Sequence, residues 1–336
     1  MKDRHIKQSV IWGSLIGGGF VIGLLFWVGP RDFLDQMKNV SLFHLFIYIF
    51  FSIIVYLLRA LRFRMLVGGR GSLAELYSIV SIHTFLLNVL PFSGGDLSFP
   101  VLLKKFNISK SYLAGVPSLV IARLQDLTLT VLFLGLSLIW LGALGNFFTA
   151  KNLAIGTVVT CSIIGPLFFM GRKKWLTIDW SKIQEKYRHI PLFNKVTAIL
   201  KDAILSARSI NRNIIFQTSV LAFFAKIIGV LGAYYLINGI GLSMELPIAF
   251  LFCSVYVFLP FLPINTVAGL GVTEAFIGGF FLLVGVQKEI IIPASIQIHA
   301  LQLSVAVLLG GLGFAQMYVL RIQTPKNATR KGSYHH

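Results

Sequence analysis

The stretch LPFSGGDLSFP, residues 90–100, decides how this chain is read: a proline, two glycines and a carboxylate interrupt sequence that is otherwise apolar. A weaker counterpart, LPINTVAGLGVTE, occupies residues 262–274. Hydrophobic residues make up 56% of the chain and charged residues 12%, with a mean hydropathy of +0.81. Soluble domains carry about a quarter of their residues charged, so this composition belongs to an integral membrane protein. In hydrocarbon an unpaired backbone N–H or C=O is costly, so lipid-facing segments must be helical and a broken helix is tolerated only against protein or a wet cavity. Both Gly/Pro breaks are therefore candidate sites.

The formal charge is +18, with a pI near 10.1. In a membrane protein such an excess sits in cytoplasmic loops, where Lys and Arg set topology and meet anionic lipid. No basic stretch is interleaved with groove-reading or base-stacking motifs, so a nucleic-acid partner is not expected. Cys161 and Cys253 lie in apolar runs without CxxC or Cys/His spacing, which argues against a structural disulfide or a metal site. The first apolar run, 10–28, is of spanning length and lacks a small-residue cleavage site after it, so it is expected to be a retained helix.

Charge placement orders the rest. Lys2, Arg4 and Lys7 put the N-terminus in the cytoplasm, and a second span over 40–58 returns to a basic loop with Arg59, Arg62, Arg64 and Arg70, of which Arg59, Arg62 and Arg64 are read as topology determinants with lipid phosphate contact as the alternative. The apolar run from 73 stops at Pro91, and the run after the glycines is too short to span about 30 Å. Residues 73–106 are therefore expected to form a re-entrant hairpin that returns to Lys104 and Lys105. A span over 111–141 carries Arg123 and Asp126 outward, and 153–170 comes back. The basic connector 172–212 is either a helix on the cytoplasmic lipid surface or a solvated link, followed by an outward span over 214–237. If the last span, 290–320, ends inside with the tail 321–336, the pair over 246–286 must enter and leave from outside. The expected fold is thus an all-α polytopic membrane protein, a single membrane domain over 1–336. About six full spans and two re-entrant helical hairpins form an inverted-topology repeat, residues 1–150 against 151–320. Broken helices of such repeats meet at substrate sites near the midplane.

Each candidate residue has a bland reading beside the functional one. Ser93 and Asp96 have capping-box spacing, and Gly271 and Glu274 repeat it with glycine at the cap. Either carboxylate can therefore serve helix-end chemistry. Alternatively, the helix starts present free N–H donors to an anionic head group, with Gly94, Gly95, Gly269 and Gly271 permitting close approach. Arg123 and Asp126 share a helix face, either as a buried ion pair or as a phosphate-binding guanidinium tuned by the acid. Laying Pro117 over Pro293 superimposes Gly95 on Gly271 and Arg123 on His299. His299 either titrates or is bonded to a neighbour, and Gln297 and Gln302 either line the same cavity or join helices.

LPFSGGDLSFPVLLKKF, SLVIARLQDL and AGLGVTEAF resemble the lysylphosphatidylglycerol synthase transmembrane-region family, over nearly the whole chain. The resemblance implies a lipid translocase and carries the family's motifs onto Gly95, Asp96, Arg123, Asp126, Gly269, Gly271 and Glu274. Ala122 and Thr273 depart from the acid and the Arg that the family pattern often has there, and the first motif lacks a nearby downstream Arg. An aminoacylated head group is therefore not implied. With only a short sequence after the last span, a fused soluble synthase domain is not expected.

Three functions follow as expectations. The leading one is a flippase or scramblase-like protein, not an enzyme, in a prokaryotic cytoplasmic membrane with both termini cytoplasmic. It would move an anionic phospholipid or polyprenyl-type lipid whose head group binds at the mid-membrane helix starts. No cofactor, metal or ATP-binding motif is expected. The rival is an intramembrane transferase using Asp96, Glu274 or His299, and a non-transporting scaffold would leave Arg123 unexplained. A channel is not expected, because no filter motif is present.

Overall fold

The computed structural model describes residues 40–90, 94–109, 111–143, 211–259 and 267–323. The expected spans over 10–28 and 153–170, the connector 172–212 and the two break tips lie outside the described residues, in whole or in large part. Eight α-helices and no strands occur among the described residues: α1 (Leu42–Leu66), α2 (Leu73–Val89), α3 (Gly94–Lys105), α4 (Val116–Ala143), α5 (Arg212–Gly239), α6 (Leu246–Tyr256), α7 (Val272–Leu283) and α8 (Lys288–Gln323). Four of them, α1, α4, α5 and α8, are long and apolar enough to cross a membrane. At 1.5 Å per residue the 25 residues of α1 reach about 38 Å, against about 30 Å of hydrocarbon. The remaining four have between 11 and 17 residues and reach at most about 26 Å.

Local chemistry sets the ends. The Ser72 side chain accepts from the Glu75 N–H while the Glu75 carboxylate accepts from the Ser72 N–H, a complete capping box that starts α2. The helix stops at Val89, two residues before Pro91, which cannot donate a helical hydrogen bond. Asn211 caps α5 by accepting from the Asn213 N–H. Along α1 the exposed residues Leu42, Phe43, Phe46, Phe50, Ile53 and Leu57 recur at helical spacing, an apolar stripe that suits lipid.

The long helices pack through small residues, as membrane helices do without a hydrophobic drive between them. α1 runs antiparallel to α5, with Gly239 against His44 and Gly232 against Tyr48. α8 runs antiparallel to α2: a methyl placed on Gly310 would lie 2.5 Å from Phe85 Cβ, and one on Gly313 would lie 2.9 Å from Ser81 Cβ. Ser78 donates to Gln316 Oε1 across that seam at 2.9 Å. α4 lies parallel to α5, with Phe133 stacked on Phe223, and packs on α6 through Phe250. The end of α1 and the starts of α4 and α5 meet around one cavity of about 380 Å³ whose walls include Arg70, Ser118 and Asn211. With Arg64 and Arg212 close by, this is the basic end of the bundle.

Candidate functional site

At the first break, α3 lies against α2 closely enough that only glycine fits at position 95: a methyl there would stand 2.6 Å from Leu87 Cα. The contact fixes the first turn of α3, which begins at Gly94 and carries Asp96. The Asp96 carboxylate forms an ion pair with Arg123 of α4. Both partners are open, with 40% and 47% of their side-chain surface exposed. Ser98 donates to the Gly95 carbonyl and bonds His83 Nδ1 at 2.8 Å, holding the break to the middle of α2. Ser93 lies outside the described residues, so the expected capping box is seen only from the Asp96 side, and that carboxylate is turned to the guanidinium.

Arg123 and Asp126 share a face of α4, yet they pair apart. Asp126 accepts two hydrogen bonds from Arg62 of α1, at 2.5 and 3.1 Å. This bidentate geometry matches two guanidinium N–H groups to two carboxylate oxygens, which a neighbour one turn away on the same helix does not offer as readily. The reading of Arg62 as a topology determinant needs correction: it is 2% exposed and lies within α1, because the helix continues to Leu66 rather than ending at Leu58. Arg59 lies one turn earlier, within electrostatic range of Asp126, Arg62 and Arg123. Lys226 of α5 donates to Thr130 Oγ1 at 3.1 Å, about 21 Å along its helix. Sequence reading passed over Lys226, although a lysine inside an apolar run is itself a signal.

The second break is built differently. Ala268, Gly269 and Gly271 all have positive φ, of 52°, 71° and 76°, and turn the chain into α7 with Gly271 as its N-cap residue. Glu274 follows in the first turn, and its Oε1 bonds His299 Nδ1 of α8 at 2.7 Å. This pair is sealed, with side-chain exposures of 9% and 8%, and Glu274 Oε2 is buried without a hydrogen-bond partner. Gln302 bonds Tyr256 of α6 at 3.5 Å.

The nine candidates thus fall into two acid–base pairs flanked by glycines, Asp96 with Arg123 and Glu274 with His299, plus Asp126, which belongs to Arg62. No hydrogen bond or ion pair among the described residues joins the first group to the second. Each pair ties the start of the helix after a break to the long helix that follows, and Arg123 and His299 each lie six residues beyond a proline, Pro117 and Pro293. Among the described residues no group of three His, Cys, Asp or Glu could hold a metal ion. The arrangement places hydrogen-bonded charged pairs within an apolar helical bundle.

No curated protein and no solved structure matched the chain when it was compared with them. A family model described as the lysylphosphatidylglycerol synthase TM region matches residues 10–310. The chain, an integral membrane protein with a lipid-related role, belongs to that family.

Proposed function

We propose that this protein translocates an anionic phospholipid or polyprenyl-type lipid between leaflets, as a flippase or scramblase-like carrier and not as an enzyme. The observation that carries the reading is the unequal exposure of two corresponding polar pairs. Asp96–Arg123 is half open while Glu274–His299 is closed, as expected of a carrier resting with one side accessible. The head group would exchange its hydration for these charged groups while the acyl chains remain in lipid.

The helix packing supports reading the chain as an inverted repeat, which fits the same function. α1 packs on α5, and the first short helix of each pair packs on the last long helix of the other half, α2 on α8 and α6 on α4. α2 and α3 return to the basic end, where Gly71 meets Ile108. α6 starts at the other end, where the Asn238 side chain accepts from the Met244 N–H. Rocking one half against the other would then exchange the open and closed pairs. With positive residues inside, the basic end and both termini face the cytoplasm.

The test is leaflet exchange of a head-group-labelled anionic lipid in proteoliposomes. The intact protein should accelerate exchange, and Arg123→Ala or Glu274→Ala should slow it by at least about tenfold, since charge-assisted bonds contribute about 1.5–3 kcal/mol. No acceleration with any anionic lipid, together with turnover of a lipid-linked donor, would replace the carrier by a transferase.

A further inference from the structure

Apart from Arg64 near the end of α1 and Arg212 at the start of α5, four cationic side chains lie inside the spanning helices α1, α4 and α5: Arg59, Arg62, Arg123 and Lys226. Among the described residues two carboxylates pair with them, Asp126 taken by Arg62 and Asp96 taken by Arg123. Arg59 and Lys226 are left over. Neither enters an ion pair among the described residues, and the two lie within electrostatic range of each other and of Asp126. Glu274 is engaged with His299. The chain's other carboxylates outside the described residues, Asp3, Asp32, Asp35, Asp179, Glu185 and Asp202, fall outside the apolar runs 10–28 and 153–170.

A single cation near the bilayer centre costs about 2.5 kcal/mol or more. Two cations without an ion-pair partner among the described residues repel each other as well, and an anion brought from outside would offset both costs. The starts of α3 and α7 do not compete for that anion, because Asp96 and Glu274 already sit in their first turns and offset the positive helix ends.

We propose that Arg59 and Lys226 together hold the phosphate dianion of a lipid phosphomonoester, with the Arg62–Asp126 and Arg123–Asp96 pairs as the polar walls around it. Two spare positive charges match a group bearing two negative ones. A phosphomonoester carries close to two at pH 8, its second pKa being about 6, whereas a phosphodiester carries one. The inference rests on the translocase reading for why a lipid would enter, but equilibrium binding requires no translocation.

The full chain in phosphatidylcholine nanodiscs at pH 8 is titrated with dihexanoyl phosphatidic acid, with dihexanoyl phosphatidylmethanol and with inorganic phosphate. The methyl ester differs from the acid by one methyl group and one charge. Phosphatidic acid should bind at least about tenfold more tightly than its methyl ester, and Arg59→Gln and Lys226→Gln should each weaken it by about tenfold or more while leaving the ester nearly unchanged. Without ligand, both variants should unfold no earlier than the parent, because each removes a charge that has no ion-pair partner among the described residues. Equal affinity for acid and ester, or wild-type binding by both variants, would overturn the assignment. Earlier unfolding of ligand-free variants with no effect on phosphatidic acid would overturn it too, in favour of a structural role. Inorganic phosphate binding as tightly as phosphatidic acid would overturn the lipid as its source. Tight phosphatidic acid binding without leaflet exchange would defeat the translocase reading alone, and exchange without preference for the monoester would defeat this assignment alone.

Discussion

Asp126→Ala is the substitution whose consequence is best defined by the geometry. It strips the counter-charge from Arg62, which is 2% exposed and bound through two N–H groups, and leaves that guanidinium among Arg59, Arg123 and Lys226. Breaking a buried pair by removing one partner costs about 3–5 kcal/mol. The Asp126 side chain is 34% exposed, which sets the loss at the lower end, about 3 kcal/mol. With an unfolding entropy of about 2.1 cal/mol/K per residue, a chain of 336 residues loses about 4 °C in its unfolding midpoint. Arg62→Met should cost less, because Asp126 then still has Arg59 and Arg123 in range. The double variant Arg62→Met with Asp126→Leu should recover most of the loss, since an apolar pair of similar volume removes both charges. Thermal unfolding in nanodiscs measures all three. An Asp126→Ala midpoint equal to that of the parent, or a double variant no better than Asp126→Ala, would refute the view that Arg62 depends on this carboxylate.

Other positions have sharper steric consequences. Gly95→Ala puts a methyl 2.6 Å from the Leu87 backbone and should separate α3 from α2, slowing leaflet exchange by at least about tenfold at a stability loss of about 1–3 kcal/mol. Gly310→Leu presses on Phe85 at the α2–α8 seam, and early unfolding in a size-exclusion thermal-stability assay is the expected outcome. Cysteines placed at Lys104 and Gln287 should react with an impermeant maleimide from opposite faces, because α3 ends at the basic end while α8 starts at the other. Labelling from one face would rule out opposed hairpins.

The membrane class, the helical content and the location of the breaks were legible in the sequence, because they follow from composition and from residues that act locally. Pro91 ends α2, and Gly271 caps α7, through backbone properties that need no tertiary partner. The pairing of Glu274 with His299 was half visible: both were singled out, but spacing does not reveal a contact across 25 residues. The partners of Arg123 and Asp126 were misread because three-residue spacing on one helix suggests a local pair, whereas tertiary packing offered each a better-aligned partner on another helix. Arg59 and Arg62 were hidden by their neighbours Arg64 and Arg70, which made the end of α1 look like a basic loop. The signal that remained was the apolar interleaving of Leu61, Phe63, Met65 and Leu66, which lets the helix run on and places Arg59 and Arg62 on one face.

The most direct measurement is the rate at which a head-group-labelled anionic lipid changes leaflet in liposomes with and without the protein, compared at equal lipid composition. Acceleration by the intact chain, slowed when Arg123 or Glu274 is replaced by Ala, is the expected result. Exchange no faster than in protein-free liposomes, for phosphomonoester and phosphodiester lipids alike, would contradict translocation.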